Sequence, residues 1–177
     1  MLRVLAIAAL VALAPSSAVA RGPSTPEERR RAVETVRKLE KQPLARNSKE
    51  ARRWLLQWIV DIPDINVTLC AGPLDGLVED DGGPYAKMLY VQAGFGMAAF
   101  LVENPGKAKD WAAVQTAGLE SVLRAYEALL RADPDARSDV LDKLEAVRKA
   151  GRLRKLVETD MSECGKPPEE RIPDDAI

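Results

Sequence analysis

The 177-residue chain has no histidine, two cysteines and few aromatic side chains: three Trp, three Tyr and two Phe. The missing imidazole removes Ser-His and Cys-His nucleophile pairs, histidine metal ligands and acid–base work near neutral pH. Two isolated cysteines without histidine cannot complete a tetrahedral zinc shell, so no metal site of that kind is expected. No glycine-rich loop follows a strand-like run, which leaves no nucleotide-binding fingerprint and no cofactor to expect. Apolar and polar residues alternate over one short stretch, Ile65 to Cys70, and a lone strand has no partner to pair with. Carboxylate chemistry, binding surfaces and hard cations stay open.

The formal net charge is only −1, but the charge is unevenly spread. Arg21 to Val60 carries 11 basic and 5 acidic residues, whereas Asp61 to Asp110 carries 3 basic and 8 acidic. No aromatic residues interleave with the basic residues of the first helix, which argues against nucleic acid as a partner.

Residues 1–20 have the layout of a secretory signal peptide: Arg3, an apolar run from Val4 to Ala14, Pro15, and Ala18-Val19-Ala20 as a cleavage site. The run is shorter than the ~20 residues a membrane helix needs. The expected mature chain begins at Arg21, is periplasmic or secreted, and has no membrane span. An even cysteine count in an exported chain predicts a Cys70–Cys164 disulfide. Closing a loop of about 95 residues is worth roughly 4–5 kcal/mol in the chain-entropy account.

Periodicity predicts an all-α fold: a single bundle of five to six helices over residues 21–164, with one extended crossing segment and a disordered tail over 165–177. Thr25-Pro26-Glu27-Glu28 is a capping box opening the first helix, which carries the narrow stripe Val33, Val36, Leu39. Asn47 opens a second helix whose buried face runs Ala51, Trp54, Leu55, Trp58, Ile59, Ile62, so both tryptophans are read as core. Ile65, Val67 and Leu69 then plug the bundle from the crossing segment. The third helix is apolar nearly all round and is expected at the centre. Gly94, Gly96, Ala98 and Ala99 leave little side chain in its middle, which suits the close approach of a neighbouring helix, the plainer reading, or a ligand lying in the gap. A fourth helix runs from about Lys109 to Ala132 with Val114, Gly118, Val122, Ala125, Tyr126 and Leu129 inward. Ser138 starts a fifth, stopped at Gly151, and a short sixth carries Leu153, Leu156 and Val157.

Two local resemblances bear on function. Val122, Tyr126, Leu129 and Pro134 stand where a tetratricopeptide repeat has its small, aromatic, small and proline positions. The likeness implies a helical hairpin there. It stops at the second half of the repeat, because Gly106, Lys109, Asp110 and Ala113 do not match the first half and no ~34-residue period recurs. Glu120-Ser121 in "TAGLESVLRAY" resembles the catalytic segment of lytic transglycosylases, which implies Glu120 as a general acid on peptidoglycan. The downstream Gly-Leu-Met-Gln-type segment of that family is missing.

Asp75, Glu79, Asp80 and Asp81 before Gly82-Gly83 are candidate oxygen ligands for calcium without EF-hand spacing, and a solvated loop is the plainer expectation. Asn66-Val67-Thr68 fits the glycosylation sequon. The functional expectation is a non-enzymatic protein that binds an envelope or extracellular partner protein through its basic first helix or its acidic loop. A peptidoglycan-directed enzyme using Glu120 is the alternative.

Overall fold

The structure, a computed structural model, describes residues 21–70, 72–77, 83–162 and 164. Residues 1–20, expected as a signal peptide, the expected disordered tail over 165–177, and Glu79, Asp80 and Asp81 lie outside the described residues. The chain is an all-helical bundle: α1 Pro26–Lys41, α2 Ser48–Asp61, α3 Ala86–Glu103, α4 Trp111–Ala132, α5 Asp139–Lys149 and α6 Leu153–Asp160. Two 3₁₀ turns, Gly72–Leu77 and Pro105–Lys107, join them.

Each helix starts and stops where local chemistry satisfies its free backbone groups. The Thr25 hydroxyl accepts from Glu28 N at 3.2 Å while Glu28 accepts from Thr25 N at 2.8 Å, closing the capping box. Asp110 caps α4 through Ala113 N at 3.1 Å. The end of α5 is a Schellman motif: Gly151 adopts φ +66°, its N–H meets Arg148 O at 2.9 Å, and Arg152 N meets Val147 O at 3.0 Å. Asn47 precedes α2 as expected, but its side chain makes no capping bond.

α3 and α4 are the central antiparallel pair, and glycine sets their separation. A Cβ on Gly96 would lie 2.3 Å from Ser121 Cβ and 3.0 Å from Ala117 O. One on Gly118 would lie 2.9 Å from Met97 Cε and 3.0 Å from Ala93 O. The two backbones therefore pass closer than any side chain allows, which offsets the ~1 kcal/mol a helical glycine costs against alanine. Gly94 differs from the helix-packing expectation. It faces Leu69 of the crossing segment, whose Cδ1 would sit 3.4 Å from a Cβ there.

α1 lies across both central helices and buries Ala32, Val36 and Leu39; Val33 is only half-buried. α2 packs on α1, while α5 and α6 cover α4. Tyr126, buried on α4, accepts from Ser138 N at 2.9 Å and donates to Asp142 Oδ1 at 2.9 Å, so it pins the α4–α5 hairpin. Residues 62–70 cross the bundle without regular structure; Ile62 and Ile65 are buried, Val67 is half-buried and Leu69 is exposed. Gln115 replaces a sheet partner, donating to Thr68 O at 2.8 Å and reaching Cys164 Sγ at 3.4 Å. Cys70 and Cys164 stand at disulfide distance with Cα atoms 6.0 Å apart, inside the usual range.

At the other end of the segment, Asp64 accepts from Ser24 N at 2.8 Å, Ser24 Oγ at 2.7 Å and Arg29 Nη2 at 2.6 Å. Burial works to raise its pKa, but these donors outweigh it and lower it to about 2. The stretch after Cys70 was not foreseen as helical. Gly72–Leu77 buries Leu74 and Leu77 as a 3₁₀ turn and leaves Asp75 exposed on its outer side.

Candidate functional site

Three features of this frame bear on function. The first is a polar network at the α1–α3–α4 junction. Glu40 ends α1 next to Leu39 and is only 4 % exposed. Its carboxylate accepts from Ser121 Oγ at 2.7 Å, Arg124 Nε at 3.0 Å, Arg124 Nη2 at 2.9 Å and Arg37 Nη1 at 2.9 Å. Ser121 is fully buried and accepts in turn from Gln92 Nε2 at 3.0 Å. Desolvation favours the neutral acid, yet the Arg124 and Ser121 hydrogen bonds and the Arg124 and Arg37 charges prevail and hold Glu40 below the usual glutamate range. Every lone pair in use points at a protein donor, so this network specifies how α1 seats on the core.

The second feature is a cleft of about 360 Å³ lined by the second half of α3, the Pro105–Lys107 turn and α4. Gly96, Phe100, Ala113 and Ala117 form its apolar floor, and Arg37, Lys107, Arg124 and Arg154 stand round it. Glu120 lines this cleft as well, although no local pattern around it marks a cleft. Arg124 Nη1 lies 3.4 Å and Arg148 Nη1 3.8 Å from its Oε2. It is the only carboxylate among the described lining residues, whereas glycoside hydrolysis ordinarily takes two. Its neighbour Ser121 faces the core, as bonded above.

The third feature is a groove of about 500 Å³ between α1 and α2. Arg31, Thr35 and Lys38 of α1 and its C-cap Gln42 recur at helical spacing and form one wall; Asn47, Ser48, Glu50, Ala51 and Trp54 form the other. Trp54 is not core as expected. Trp58 is buried at 2 % exposure, but Trp54 is half-buried, stacked on Trp58 with ring centroids 6.1 Å apart. Arg31 lies over the Trp54 ring, its Cζ 4.0 Å from the centroid. A half-buried ring under a guanidinium gains a cation–π attraction that a fully buried one would lack.

The arginines elsewhere are mostly tied to carboxylates: Arg21, Arg29, Arg37, Arg124, Arg148 and Arg154 all form ion pairs. The exposed α1–α2 face differs. Arg30, Arg31, Lys38, Arg46, Lys49 and Arg53 form no ion pair among the described residues. Their uneven distribution was visible in the sequence; that they are unpaired was not.

The other sequence candidates do not join these features. Asn66 is exposed on the crossing segment. Asp75 stands alone among the four candidate acidic ligands in being described, and no cluster of three or more metal-ligating side chains occurs among the described residues. Among these residues no helix is long and apolar enough to cross a membrane. No protein family, curated protein or solved structure matches the chain.

Proposed function

We propose that this is an exported, non-enzymatic binding protein of the cell envelope or secreted space whose α1–α2 face docks an acidic partner protein. Export rests on the signal-peptide layout of residues 1–20 and on a cysteine pair at disulfide distance. The observation that carries the binding reading is the cluster of unpaired cations on α1 and α2. A charge held in an internal pair has little left to offer a partner, while an unpaired one steers and orients an acidic surface.

The probe is poly-L-glutamate, with poly-L-lysine as the control, followed by fluorescence anisotropy at rising salt. Poly-glutamate should bind, more weakly as salt increases, and Arg31→Glu with Lys38→Glu should weaken it roughly tenfold. Equal affinity in the wild type and the double variant refutes the reading. The same pair used to capture proteins from the envelope fraction identifies the partner.

One observation favours an enzyme acting on peptidoglycan: Glu120 lines a cleft. Incubating the protein and Glu120→Gln with cell-wall sacculi separates the readings. Muropeptide release that depends on Glu120 overturns the non-enzymatic proposal, and no release from either disposes of the enzyme.

A further inference from the structure

We infer that the α3–α4 cleft is a second, separate binding site, for a medium-chain fatty carboxylate. The inference does not rest on the partner-docking face, which lies between α1 and α2. The apolar floor follows from the small residues at the glycine crossing: Gly96, Ala113 and Ala117 leave a trough free of bulky side chains. Phe100, Ala113 and Ala117 line that trough with apolar groups, and the hydroxyl of Thr116 beside them is already donated to Ala112 O at 2.6 Å. Such a surface favours an aliphatic chain over a hydrated one.

The rim selects the charge of the ligand. Its lining has four cations against one carboxylate. Three of the cations are anchored: Arg37 by Glu40 and Glu103, Arg124 by Glu40 and Glu120, Arg154 by Asp110 and Glu158. These pairs hold the guanidiniums in place and absorb most of their charge, which argues against a polyanion. Lys107, exposed on the Pro105–Lys107 turn, has no ion-pair partner among the described residues and supplies the one free positive charge. One free cation beside an apolar trough fits one carboxylate on an apolar body. Size follows from volume: 360 Å³ at about 30 Å³ for each non-hydrogen atom holds roughly a dozen of them. Decanoate has about that number.

The test is isothermal titration of the full mature chain with decanoate, and with decanol as its neutral counterpart. Decanoate should bind at one site with a Kd below about 1 mM. Lys107→Gln, an exposed change that leaves the fold intact, should weaken it roughly three- to fivefold. Glu120→Gln should tighten it by a similar factor, because it removes the only like charge from the lining. Decanol should respond to neither variant. Absence of saturable decanoate binding, equal affinity for decanoate and decanol, or identical affinities in all three proteins each overturns the inference. Loss of poly-glutamate binding with decanoate binding retained would sink the partner proposal alone.

Discussion

Replacing Glu40 by glutamine keeps the shape of the side chain and removes its charge. Four hydrogen bonds converge on the carboxylate, and they differ in what their loss costs. Ser121 is fully buried, so its hydroxyl loses a charged acceptor with no access to water, a change worth about 1.5–3 kcal/mol. Arg37 and Arg124 are 37 % and 38 % exposed and can re-solvate, so each lost pair costs about 0.2–1 kcal/mol after screening. The sum at neutral pH is about 2–5 kcal/mol, or roughly 4–20 °C in Tm for a domain of this size. The pH dependence has a definite sign. Glu40 is held below its ordinary value of 4.5, so its stabilisation is complete above that pH and fades as the pH falls through the lower folded value. Protonation of Glu40 gives the two proteins the same local charge, so the stability gap should narrow as the pH falls below 4.5. Urea denaturation of both proteins from pH 7 downward measures this. Stabilities within ~0.5 kcal/mol at pH 7, or a gap that does not narrow as the pH falls, would refute the assignment of Glu40 as a buried ionised anchor.

Two further perturbations test the frame that holds the sites. Gly96→Ala should destabilise by about 1–3 kcal/mol even though alanine is the better helix former, because its Cβ must displace Ser121 and the Ala117 carbonyl; a rise in Tm would show that the α3–α4 separation is not set there. The Cys70–Cys164 pair should make the intact mass two hydrogens lighter than the reduced chain, and its reduction should lower stability by up to about 4–5 kcal/mol; rapid thiol labelling of both cysteines without denaturant would exclude the bond.

Much of the fold was legible in the sequence because its determinants are local. The Thr25–Glu28 box and Gly151 act within a few residues of themselves, and the inward positions of α4 from Val114 to Leu129 follow from the helical period. Sequence periodicity says which face of a helix is apolar but not which element that face meets. Hence Gly94 and Gly96, two residues apart, were read as one close-packing patch although one meets Leu69 and the other meets Ser121. Nothing near Glu40 in the sequence marks it as buried, because its burial depends on Ser121, 81 residues away, and on Arg124. Trp54 followed the apolar period into the core on paper, and only the α1–α2 crossing left it half open beneath Arg31. Composition determined that the N-terminal third is basic; tertiary structure decided which of those cations are unpaired. The cause is the same in each case: helix formation is written in neighbours along the chain, whereas burial and pairing of a charge depend on partners that only folding brings together.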